Sequence, residues 1–173
     1  RHMKPFIDAF RLEFPAAFFL YGSGWDGEYG AVRLPEQRFL RVARGSAVSL
    51  ALHEPTQVLD FGFSCNERVF KLLAMGCCTV CDANPWLMKM FEDGIDMHFS
   101  GTPEEMVDRA RGLVSAPAAR RRMGKAGRKS VLARHTYMHR ALRLLQISRD
   151  GVENEGTRDG LPILGWSAQS ANA

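Results

Sequence analysis

The sequence predicts an open α/β domain: a doubly wound, Rossmann-like parallel sheet covered by helices. Three observations carry that prediction. Short apolar runs recur along the chain in the manner of buried strands. Amphipathic segments with proline starts and glycine stops separate them, as helices would. Strand and helix therefore alternate, which calls for crossover connections and a sheet buried on both faces.

The elements follow in order. Pro5 to Phe14 reads as a helix, and the apolar run Ala16 to Tyr21 as a strand ending at Gly22. A loop containing Gly22, Gly24, Gly27 and Gly30 leads to Pro35, which starts a helix through Arg44. Proline suits a first helical turn because its missing N–H has no partner there. Gly45-Ser46 stops that helix, and Ala47 to His53 reads as a second strand. After a loop over 54–63, a helix is expected from Cys65 to Met75, closed by Gly76, then a strand over Cys78 to Cys81. Asp82-Ala83-Asn84-Pro85 opens a helix through Glu92, and Asp96 to Phe99 forms a short strand. Three helices complete the pattern, Pro103 to Ser115, Pro117 to Arg134 and Thr136 to Ser148. The domain is thus expected over 4–148, with 149–173 a flexible or docking tail. Arg1-His2-Met3 is set aside as outside the fold.

Composition narrows the function classes. With 46% hydrophobic and 24% charged residues, the 173-residue chain reads as one globular domain. No apolar stretch approaches the roughly 18–20 residues of a membrane span, and no signal-peptide pattern stands at the start. Four cysteines, Cys65, Cys77, Cys78 and Cys81, lie close together. Cys78-x-x-Cys81 lacks the second ligand pair that a structural zinc needs, and a strand would turn those two side chains to opposite faces. Buried, reduced thiols in a cytoplasmic protein are the expectation. The net charge of +4 owes much to Arg120, Arg121, Arg122, Lys125, Arg128 and Lys129. These read as a solvated helix face, with an anionic contact as the alternative. No aromatic residues interleave with them, which argues against nucleic acid.

Two motifs bear on chemistry. Gly22-Ser23-Gly24-Trp25-Asp26-Gly27 has the G-x-G-x-x-G spacing, yet no helix opens at once, and the strand-ending acidic residue expected near 20 positions downstream is missing, since the next strand ends only around Glu54. A dinucleotide fingerprint needs both. What remains is a glycine loop along some ligand at the carboxyl edge of the sheet. Ser64-x-x-Glu67 has the form of a capping box. Beyond it, Val69, Phe70, Leu72, Leu73 and Gly76 share the sheet-facing side, while Glu67 and Lys71 stand at i and i+4 on the other. Lys71 is then either a surface ion-pair partner or a cation beside a phosphate at the helix N-terminus, helped by Arg68 and the helix dipole.

The ordered set GSGW, VSLALHE, NERVFKLLAMGCCTVCD, FEDGIDMHF and RRMGKAGRKSVLARHTYMHR resembles the C-terminal half of a GT-B glycosyltransferase. It is most similar to group-1-like transferases of the CgeB type, known from spore maturation proteins, over about residues 5–147. The resemblance implies a nucleotide-sugar-binding domain whose partner, an N-terminal acceptor domain, closes the cleft. It implies no metal and no cofactor, since such enzymes neutralise the leaving diphosphate with basic side chains and helix N-termini, and no Asp-x-Asp occurs here. Arg68 is the first candidate for that role and Lys71 the second. Gly22, Ser23, Gly24 and Trp25 would lie along the donor, with the amides near Cys65 and Asn66. His53 either faces the sugar or is a satisfied structural histidine. The family's helix reads R-x-F-E, its glutamate accepting ribose hydroxyls; Arg68 and Phe70 match, and Lys71 replaces the glutamate. An ammonium accepts no hydrogen bond. Two functions follow, donor binding for glycosyl transfer or a catalytically inactive transferase-like interaction domain. His135-Thr136-Tyr137-x-x-Arg140 also fits the family, with Thr136 explained as an N-cap and Tyr137 as a packing residue.

Overall fold

The helices begin where the sequence offers a cap or a proline. The structure, a computed structural model, describes residues 3–22, 31, 33–53 and 66–150. Among these residues, in chain order, stand α1 (Lys4–Glu13), α2 (Glu36–Gly45), β1 (Ser49–Ala51), α3 (Glu67–Ala74), β2 (Thr79–Asp82) and α4 (Pro85–Met90). Next come β3 (His98–Ser100), α5 (Pro103–Ser115), α6 (Pro117–Arg134) and α7 (Tyr137–Asp150). Asn84 caps α4, its side chain accepting from the Trp86 and Leu87 amides. Thr102 caps α5 by accepting from the Glu105 amide. Each provides a partner for a donor that the first helical turn leaves free.

The three strands are parallel and lie in the order β1-β2-β3. Ser49 stands opposite Thr79 and Ala51 opposite Cys81; Val80 faces His98 and Asp82 faces Ser100. Helices cover both faces. On one, Ala51, Cys81 and Phe99 pack with Val69, Phe70, Leu72 and Leu73 of α3, Leu87 of α4 and Val131 of α6. On the other, Leu52, Cys78 and Val80 meet Phe6, Ile7 and Phe10 of α1 and Met106, Ala110 and Leu113 of α5. The period-two alternation of a strand explains the split. It also places Cys78 and Cys81 on opposite faces, both buried and neither in a disulfide, so no joint Cys-x-x-Cys site forms. Burial raises the Cys78 thiol to about 11, which keeps it in its unreactive protonated form.

Two sequence expectations give way. Ala16 to Tyr21 is not a regular strand: the chain turns at 15–17, with the Ala17 and Phe18 amides donating to the Phe14 carbonyl. That turn sets the Phe18 ring 5.7 Å from Phe10, while Phe19 stays 69% exposed and only Tyr21, at the end of the run, makes a β-bridge. Apolar content alone does not tell these outcomes apart. The helix expected from Cys65 begins at Glu67 instead, and its cap is Asn66, whose Oδ1 accepts from the Arg68 amide at 2.9 Å. Ser64 lies outside the described residues. Glu67 pairs with Lys71 and accepts from the Tyr137 hydroxyl. The final helix continues to Asp150.

The basic helix α6 works as a brace. Arg120 donates to the Leu113 carbonyl at 2.7 Å and also to Val114, closing the end of α5. Arg128 donates to the Ala74 carbonyl at 2.8 Å, closing the end of α3. Both complement the negative end of a helix dipole. Two glycines bring α6 close to its neighbours. A Cβ at Gly124 would strike the Gly76 carbonyl oxygen, and one at Gly127 would lie 2.5 Å from the Asp96 carbonyl oxygen and 2.8 Å from Leu73 Cδ2. The apolar seam of α3 and α6 depends on this approach.

Candidate functional site

In a parallel sheet, loops leaving the carboxyl ends of the strands enclose the ligand edge. His53 follows β1 at that edge, Asp82 closes β2, and Asn66 with Arg68 opens α3, the crossover between those strands. His53 is 3% exposed. Its Nδ1 lies 2.7 Å from Asp82 Oδ1, and its backbone N–H donates to Asp82 Oδ2 at 3.1 Å. Cys81 Sγ approaches Asp82 Oδ1 at 3.4 Å and His53 Nδ1 at 3.7 Å. These three donor atoms lie within 4.8 Å of one another, close enough to surround a cation. A metal-bound histidine, however, normally donates its second ring nitrogen to a neighbour, and His53 Nε2 is buried with no hydrogen-bond partner among the described residues. The geometry describes an Asp–His pair better than a metal centre.

Arg68 and Lys71 stand in different electrostatic settings. Desolvation lowers the Arg68 pKa, with no opposing carboxylate contribution. Among the described residues its guanidinium has no carboxylate partner. Lys71 is held on the outer face of α3 by Glu36 at 3.1 Å and by Glu67 at 3.3 Å, and those two hydrogen bonds raise its pKa. Tyr137 donates its hydroxyl to the same Glu67 at 2.9 Å and is 71% exposed, so it is a surface hydrogen-bond donor rather than a packing residue. Thr136 Oγ1 accepts from the His139 amide at 3.4 Å, in the manner of an N-cap. A wide groove lined by Met88, Phe91, Ile95, Lys129 and Arg134 runs between α4 and α6 and includes none of the edge residues.

A family model described as glycosyl transferase-like matches residues 1–146. The chain belongs to the glycosyl transferase-like family. No curated protein and no solved structure matches it.

In this glycosyl transferase-like chain the match takes in both sheet faces, the carboxyl edge and most of α7. Of the residues expected at the site, Gly22, His53, Asn66, Arg68 and Lys71 are described; Ser23, Gly24, Trp25 and Cys65 lie outside the described residues. The structure brings His53 to Asp82, and places Asn66 and Arg68 together at the start of α3. Asp82, Glu36 and the Tyr137 hydroxyl do not stand out in the sequence. Asp82 does carry a usable signal, as a carboxylate closing a buried strand at the ligand edge. Glu36 lies 35 positions from Lys71 and only the packing of α2 beside α3 reveals it. No helix among the described residues is long and apolar enough to cross a membrane.

Proposed function

We propose that this chain is the donor-binding domain of a GT-B glycosyltransferase of the CgeB-like group, transferring a sugar from a nucleotide-sugar to an acceptor held by an N-terminal domain. One observation carries the reading: a guanidinium without a carboxylate partner among the described residues stands at the capped start of α3, at the carboxyl edge of a parallel sheet. That position combines a cation with the positive end of a helix dipole, which together suit a diphosphate. Charge developing on the departing diphosphate would be stabilised there without a metal. Gly22 to Trp25, Cys65 and Asn66 supply further contacts to the donor. Lys71 reaches a phosphate only by leaving Glu36 and Glu67, so Arg68 carries the larger share.

Calorimetric titration with UDP, GDP and their sugars tests the proposal. At least one is expected to bind, and Arg68→Ala is expected to weaken it about tenfold, the effect of losing one charge-assisted hydrogen bond. Equal affinity in the variant, or no binding by any nucleotide, sinks the reading. The paired state of Lys71 favours a second reading, a transferase-like domain that retains the fold for interaction, and failure of every nucleotide would leave that one standing.

A further inference from the structure

The Asp82–His53 pair has a consequence for what the edge can recognise. An ionised carboxylate accepts hydrogen bonds and donates none. Asp82 uses one oxygen on the His53 backbone N–H and presents the other to Nδ1. The ring proton of neutral His53 therefore sits on Nδ1, and Nε2 carries a lone pair. Cys81 Sγ, 3.4 Å from the same carboxylate oxygen, can donate its S–H to it. Nε2 is thus a buried acceptor without a partner among the described residues, a state that a native fold normally relieves. An ionised phosphate oxygen brings no proton to it. A hydroxyl does.

We propose that Asp82 fixes His53 as the Nδ1–H tautomer so that Nε2 accepts a hydrogen bond from a hydroxyl of the donor, on its ribose or its sugar. The inference rests on the donor-binding reading above. Asp82 acts as a positioning residue, and His53 is the group that meets the ligand. Selectivity follows from the tautomer: hydroxyl-bearing ligands satisfy the edge, whereas a fully ionised phosphate oxygen leaves Nε2 orphaned.

Long-range nitrogen–proton NMR on the protein labelled at histidine reads the tautomer directly. The free protein is expected to show His53 protonated at Nδ1; protonation at Nε2 overturns the proposal. UDP, UDP-glucose, GDP and GDP-mannose are then added in separate titrations, with calorimetry alongside. Movement of the Nε2 resonance by the nucleoside diphosphate alone supports a ribose hydroxyl, and movement only with the sugar nucleotide supports a sugar hydroxyl. Calorimetric binding that leaves Nε2 unmoved overturns this inference and spares the donor reading. No binding by any of the four overturns both. Asp82→Asn supplies the positioning test. Its carboxamide oxygen must still accept from the His53 backbone N–H, which turns the NH2 toward Nδ1. The tautomer is expected to invert, and affinity for the moving ligand to fall about tenfold. An unchanged tautomer in that variant removes Asp82 from the role.

Discussion

Alanine at position 124 is expected to destabilise the domain by about 3 kcal/mol, the upper part of the range for overpacking a close interface. The added methyl would meet the Gly76 carbonyl, a backbone atom fixed by its own turn, so neither partner can yield readily. That turn is itself constrained: Gly76 sits at φ +76°, in the left-handed region that costs other residues about 1–2 kcal/mol. Gly127→Ala is expected to lose about 2 kcal/mol, because the flexible tip of Leu73 can give way while the Asp96 carbonyl cannot. Gly112 serves as the contrast. It lies in α5 with open space where a Cβ would stand, nothing being within 4 Å, so Gly112→Ala is expected to gain about 1 kcal/mol from helix propensity. Urea denaturation of the three variants checks the set. A neutral Gly124→Ala would mean that α3 and α6 do not pack as closely as described.

The second large effect concerns pH. His135 is buried between Phe91 and Phe70, with ring centroids 5.0 and 5.9 Å away. Burial chiefly, and then the charges of Arg134, Arg140 and His139, lower its pKa to about 4, against a smaller opposing effect of a hydrogen bond to the Met90 backbone. In the unfolded chain an ordinary histidine titrates near about 6.5. Between those values the unfolded state binds the proton and the folded state does not. Stability is therefore full above about 6.5 and is lost as pH falls toward 4. From pH 7 to pH 5 this single group is expected to remove about 2 kcal/mol. His135→Phe keeps a ring between the two phenylalanines and removes the titration. Denaturation curves at both pH values should show the variant losing about 2 kcal/mol less than the parent. Equal losses would mean that the fold does not lower the His135 pKa.

The two glycines and His135 all fall in one of the segments that carry the transferase resemblance, RRMGKAGRKSVLARHTYMHR. The structure gives several residues of that segment a packing role. Gly124 and Gly127 permit close approach, Arg128 closes the end of α3, and His135 fills the seam beside Phe70. A motif can thus mark a family while its residues serve the fold. The candidate chemistry of this chain lies elsewhere, at the strand ends and the start of α3.

Local patterns determined a good deal by themselves. α5 and α6 begin at Pro103 and Pro117 and end at Ser115 and Arg134 as the sequence predicts, because proline starts and an amphipathic period are properties of neighbouring residues. The buried face of α3 and the Glu67–Lys71 pair were legible for the same reason. So was the division of Cys78 and Cys81 between two faces, since alternation needs only a strand. Tertiary structure alone decided the rest. Ala16 to Tyr21 did not form a regular strand: the chain turned at 15–17 and set Phe18 against Phe10 of α1. Glu36 met Lys71 across 35 positions. Asp82 met His53 across 29, fixing which nitrogen holds the ring proton. Such pairings depend on how crossovers stack strands and helices, which no local window encodes, and they are what give His53 and Arg68 their different characters at one edge.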